Sequence, residues 1–136
     1  MKKVFADAAY FIALLKPADN FHARAVALAR RPPGPIITTY WILAEVGDAF
    51  SQPGNRSKFA RLIALAAATP DIEVLRPTIE QFLAGAAIHA SRPDKRWSFT
   101  DCITFSVMKE HGLADALTTD SHFEQAGFRA LMRVAN

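Results

Sequence analysis

The chain has 136 residues, 51% of them hydrophobic and 21% charged, with a net charge of +3. That balance excludes a disordered chain and suits one domain able to bury a sizeable core, so residues 1–136 are read as a single domain. The mild positive charge permits an anionic partner without demanding one, and the lone cysteine, Cys102, excludes an internal disulfide framework and suits a reducing, cytoplasmic location.

Met1 to Leu15 imitates an export signal, with a basic start and an apolar run. Asp7 interrupts that run, and Lys16-Pro17-Ala18-Asp19 follows in place of a small-residue cleavage site. No apolar stretch approaches the ~20 residues of a membrane span. No membrane partner is therefore expected.

In chain order, Lys3 to Ala6 reads as a short buried strand that Asp7 ends, and Ala9 to Leu15 as a helix stopped by Pro17. Asp19 or Asn20 can cap a second helix from Phe21 to Arg30, which the loop Arg31–Pro35 ends. Ile36 to Thr39 is a second strand, β-branched throughout, and Tyr40 to Phe50 a helix. Ser51–Asn55 breaks it. Ser57 can cap a helix from Lys58 to Ala68, and Ile72 to Leu75 forms a third strand.

Thr78 and Gln81 have capping-box spacing at the head of a helix running to Ala90. A basic loop, Ser91 to Trp97, leads to a helix from Phe99 to His111 with a stop at Gly112. A fourth strand follows, Ala116 to Thr119, then a short helix around Phe123 and a last strand, Arg129 to Arg133. Strands alternating with helices predict an α/β fold with a central, mostly parallel sheet of four to five strands flanked by helices.

Sites in such sheets form beyond the carboxyl ends of the strands. Asp7 and Asp120 both fall at such ends. Glu45 lies at the border of an apolar helical stripe, near Trp41, Ile42 and Val46, where an unpaired carboxylate is costly. Asp101 shares the stripe of Phe105 and Met108, and its spacing from Ser98 also allows a capping box. Each acid has a plain structural reading: Asp7, Asp101 and Asp120 as caps, Glu45 as half of a salt bridge. Together near one sheet edge, four carboxylates would repel and raise one another's pKa. A cation would neutralise them, and oxygen ligands without a matching Cys/His set point to Mg²⁺ or Mn²⁺ rather than zinc.

Such metals serve phosphoryl chemistry. No Gly-rich phosphate loop is present, and Asp7-Ala8-Ala9 lacks the second acid that a haloacid-dehalogenase-like phosphatase would carry. Phosphodiester cleavage remains. Three basic clusters could then hold a nucleic-acid backbone, although each also reads as solvated surface: Arg30 with Arg31; Arg56, Lys58 and Arg61; Arg92, Lys95 and Arg96.

Four motifs in order now resemble a PIN domain, in particular the VapC-type toxin ribonucleases, over nearly the whole length. They are Val4-Phe5-Ala6-Asp7 with Phe11-Ile12-Ala13-Leu14; Thr38-Thr39-Tyr40-Trp41-Ile42-Leu43-Ala44-Glu45; Phe99-Thr100-Asp101-Cys102; and Leu117-Thr118-Thr119-Asp120-Ser121-His122-Phe123. The resemblance implies a PIN-like fold and a Mg²⁺- or Mn²⁺-dependent endoribonuclease. Asp7, Asp101 and Asp120 would bind metal, and Glu45 would act as a further ligand or orient water. Thr118 or Thr119 would orient a carboxylate or water. It further implies a homodimer held in check by a small cognate antitoxin. Members often carry Thr or Ser directly after the first acid. Here Ala8-Ala9 follow, so that supporting hydroxyl is missing or comes from Tyr10. The competing expectation is a catalytically silent RNA-binding or regulatory module of the same fold, distinguished by RNA binding without metal-dependent turnover.

Overall fold

The computed structural model describes residues 1–133; positions 134–136 of the expected domain lie outside the described residues. The elements are β1 (Val4–Ala6), α1 (Ala8–Leu15), α2 (His22–Arg30), β2 (Ile36–Thr39), α3 (Tyr40–Ala49), α4 (Arg56–Ala68), β3 (Ile72–Leu75), α5 (Ile79–Ser91), α6 (Phe99–Glu110), β4 (Asp115–Leu117), α7 (Ser121–Gln125) and β5 (Arg129–Ala130). The five strands form one sheet in the order β3-β2-β1-β4-β5, and every pairing is parallel. The α/β expectation therefore holds. β1 is fully buried, as a central parallel strand must be when helices cover both faces.

The strand order reverses at β1, whose neighbours are β2 on one side and β4 on the other. A parallel sheet opens a crevice at such a switch point, outside the carboxyl ends of its strands. Residues just past β1 and β4 therefore share the place where this fold forms a site.

Several boundaries differ from the sequence reading for local reasons. The helix expected to start at Lys58 with a Ser57 cap starts at Arg56, with Asn55 at the cap position. Asp19 is not the helix cap proper. Its Oδ1 accepts the Phe21 amide at 2.8 Å, a turn that precedes α2. The fourth strand ends at Leu117 rather than Thr119, because the Thr118 hydroxyl takes the Asp120 amide at 3.1 Å and turns the chain out of the ladder. β5 ends at Ala130, yet Leu131 and Met132 still donate to the carbonyls of Ala116 and Thr118.

The two capping boxes form as read, at Thr78/Gln81 and Ser98/Asp101. Gly112, at φ 64°, closes α6: the Leu113 amide reaches the Met108 carbonyl at 2.8 Å. Gly127, at φ 95°, closes α7 the same way, through Phe128 and Phe123. A side chain at Gly85 of α5 would press on the Ile103 backbone at 3.0 Å, so glycine lets α5 and α6 pack closely.

One aromatic cluster sets the height of α7. Phe105 of α6 meets Trp97 at 5.0 Å, Phe123 at 5.1 Å and Phe128 at 5.7 Å between ring centroids. The Trp97 indole N–H also donates to Gln125 at 3.1 Å. These contacts hold the start of α7 beside the start of α6.

Candidate active site

Asp7 leaves β1 at its carboxyl end and takes the cap position of α1, but its carboxylate makes no capping hydrogen bond. The side chain is buried, and Oδ2 accepts a 2.7 Å hydrogen bond from the Thr118 hydroxyl. The register explains this contact across 111 positions of sequence. Ala6 pairs with Leu117, and Asp7 and Thr118 are the next residues on each strand. Thr118 Oγ1 in turn accepts the Asp120 amide at 3.1 Å, so one hydroxyl ties the first acid to the backbone of the fourth.

Burial raises the Asp7 carboxyl from 3.8 to about 7. The Thr118 hydroxyl and the Ala8 amide work against that rise, and the charges of Glu45 and Asp101 add to it. The hydroxyl that reaches Asp7 thus comes from Thr118, just past β4. Tyr10, the alternative source, instead lines an apolar cavity of about 560 Å³ with Leu14, Ile36 and Leu62.

Thr39 caps α3 by accepting the Ile42 amide at 3.2 Å, and so fixes the helix that carries Glu45. Glu45 is exposed, and no ion pair among the described residues involves it, so the salt-bridge reading fails. Partial desolvation pushes its carboxyl up, followed by repulsion from Asp101, Asp120 and Asp48. The four expected acids therefore face one another across the edge of the sheet, since Asp7 feels Glu45 and Asp101, and Glu45 feels Asp101 and Asp120.

Asp101 and Asp120 serve as caps as well as members of this group. Asp101 Oδ2 accepts the Ser98 amide at 3.1 Å while its own amide donates to Ser98 Oγ at 3.0 Å. Asp120 Oδ1 accepts the His122 amide at 2.8 Å at the head of α7. Of the two candidate threonines, Thr118 supplies the hydroxyl. Thr119 contributes its carbonyl, which accepts from Arg133 at 3.2 Å.

His122 was not singled out by sequence reasoning. Its Nδ1 lies 3.0 Å from Asp101 Oδ2 and 3.4 Å from Asp120 Oδ1. One ligand atom from each of these three residues falls within 4.8 Å of the others. The available signal was positional: two residues after a capping Asp, a side chain in the first turn lies close to the cap. The donor set fits a divalent cation, because two carboxylates and an imidazole stand within reach of one ion, and a positive charge there would offset the repulsion that Asp7 and Glu45 feel from the neighbouring acids. The structure adds an imidazole to what the sequence presented as an oxygen-only set.

A family model described as PIN domain matches residues 4–129. The chain is 27% identical over 127 residues to the 23S rRNA-specific endonuclease VapC20 of Mycobacterium tuberculosis, covering 92% of this chain and 95% of that protein. The crystal structure of that VapC20, described as a Sarcin-Ricin loop cleaving toxin, superposes with a TM-score of 0.83 at 22% identity, over 92% of this chain and 95% of the other. VapBC2 from Rickettsia felis, bound to a DNA fragment from its promoter, gives a TM-score of 0.67 at 9% identity, over 95% of this chain and 97% of the other. FitAcB from Neisseria gonorrhoeae gives 0.67 at 19%, over 93% and 94%. These last two share the fold.

Proposed function

The chain belongs to the PIN domain family, and on that premise we propose that it is a divalent-metal-dependent endoribonuclease, the toxin of a type II toxin–antitoxin pair. The observation that carries this reading is the group Asp7, Glu45, Asp101 and Asp120 at the switch point of the sheet, with carboxyls that repel one another. Capping accounts for Asp101 and Asp120 singly, but not for a buried Asp7 that caps nothing.

Asp7, Asp101 and Asp120 would hold Mg²⁺, or Mn²⁺ in its place. Such an ion, when bound, lowers the pKa of water and offsets phosphate charge. The chain's own groups do the positioning. Thr118 holds Asp7 Oδ2, the Ser98 amide holds Asp101 Oδ2, and the His122 amide holds Asp120 Oδ1. Glu45, on the exposed face of α3, orients the attacking water. The basic clusters at Arg56, Lys58 and Arg61, and at Arg92, Lys95 and Arg96, would bind the RNA backbone.

The sequence similarity to an rRNA-cleaving endonuclease supports RNA as the substrate. The similarity in fold to VapBC2 and FitAcB supports a cognate antitoxin as partner. A homodimer and a cytoplasmic location complete the reading; among the described residues no helix is long and apolar enough to cross a membrane. The test is cleavage of total RNA by the purified protein with Mg²⁺ or Mn²⁺, with the cut sites mapped. EDTA and Asp7→Asn should each abolish cleavage. Equal cleavage by the variant would overturn the assignment, and RNA binding without metal-dependent turnover would favour a silent binding module.

A further inference from the structure

We propose that His122 is a nitrogen ligand of the metal site, so that this chain selects Mn²⁺ over Mg²⁺. The inference rests on the metal-site reading above and goes beyond it. His122 belongs to α7, whose first turn is set against α6 by the burial of Phe123 beneath Phe105. That packing aims the imidazole at the acids. Nδ1 sits 3.0 Å from Asp101 Oδ2 and 3.4 Å from Asp120 Oδ1, atoms of two different elements.

Those separations suit neighbouring ligands of one ion. In an octahedral site with bonds of ~2.1 Å, adjacent ligand atoms stand roughly 3 Å apart. The three donor atoms all lie within 4.8 Å of one another, inside the reach of a single cation. The nearby cation Arg133 is engaged elsewhere, with Glu124 at 2.9 Å and the Thr119 carbonyl at 3.2 Å, and does not neutralise the pair. The His122 Nδ1 lies within hydrogen-bonding distance of Asp101 Oδ2. As a ligand, Nδ1 would offer its lone pair to the ion while the ring hydrogen would reside on Nε2.

The chemical consequence is selectivity. Mg²⁺ prefers oxygen ligands and retained water, whereas imidazole favours transition ions. A mixed set of Asp carboxylates and one imidazole therefore shifts the balance toward Mn²⁺.

The test is pulsed EPR of the full chain with added Mn²⁺, together with calorimetric titration by Mn²⁺ and by Mg²⁺. Wild type should show the ¹⁴N coupling of a directly bound imidazole, and His122→Ala should lose it. The Mn²⁺-to-Mg²⁺ affinity ratio should fall about tenfold in His122→Ala and in His122→Gln, the second variant keeping a hydrogen-bond donor near Asp101. Mn²⁺ bound by wild type with no nitrogen coupling overturns the assignment of His122 and leaves the carboxylate site standing. Equal losses for both metals also overturn it, because they make His122 only a positioning residue. Absence of Mn²⁺ binding by wild type removes the metal site, and this proposal with it.

Discussion

Asp7→Asn in the metal-free protein provides a direct measure of how strongly this site is held against the stability of the fold. Asn has nearly the shape of Asp and keeps an oxygen to accept from Thr118, but it never ionises. The folded chain raises the Asp7 carboxyl from 3.8 to about 7, first through burial. The neutral acid is therefore favoured by folding. Its contribution is fully present below about pH 3.8 and is lost as pH rises to about 7. A shift of about three units at 1.36 kcal/mol each corresponds to about 4 kcal/mol. Asp7 is 7% exposed, so solvent screening removes little of it. Urea unfolding in EDTA at pH 4 to 8 should show Asp7→Asn gaining on wild type by up to that amount across the window. With an m-value of ~2 kcal/mol/M, the midpoints separate by roughly 2 M. Taking the difference between the two proteins cancels the titration of groups remote from Asp7 and leaves that of Asp7 with its coupled neighbours Glu45 and Asp101. Parallel pH profiles would refute the claim that Asp7 is held desolvated. The variant, more stable at pH 8, should be inactive as a nuclease.

Three further outcomes follow from the same contacts. Adding Mn²⁺ at pH 8 should stabilise wild type by about 2.7 kcal/mol at a hundredfold excess over its Kd and should leave Asp7→Asn nearly unmoved, as read by thermal melts. Thr118→Val removes the hydroxyl that lowers the Asp7 carboxyl and strands the Asp120 amide. It should destabilise by about 1–3 kcal/mol and push the Asp7 titration higher, measured by NMR of the Asp7 side chain. Phe105→Ala opens the cluster under α7 and should cost about 3–5 kcal/mol in chemical denaturation, with loss of metal affinity at the sites α7 carries. A metal affinity unchanged in that variant would disconnect the packing of α7 from the site.

Three of the four candidate acids were legible in the sequence because Asp7, Asp101 and Asp120 sit at joints between elements, whereas Glu45 lies inside α3. Ile36–Thr39 and Ile72–Leu75 form strands with the bounds that their β-branched and apolar character predicts. The Ser98/Asp101 capping box and the Gly112 stop are local chemistry, and both form as read. Other readings were ambiguous at the same level. Asp7 looked as capable of capping as Asp120, yet only Asp120 caps, because the pairing of β1 with β4 places Thr118 beside Asp7. Glu45 looked like a buried partner and is an exposed one, since the apolar stripe of α3 turns Ile42, Leu43 and Val46 inward instead.

By itself, then, the sequence determined the alternation of strands and helices, the joints between them and the acids at those joints. All of these rest on interactions within a few residues. The tertiary structure alone decided that Thr118 reaches Asp7, which takes a parallel register between strands more than a hundred residues apart. It also decided that His122 reaches Asp101, which takes the edge-to-face packing of Phe123 on Phe105 to set α7 against α6. Contacts of that kind depend on how whole elements pack, and no local spacing of residue types encodes them.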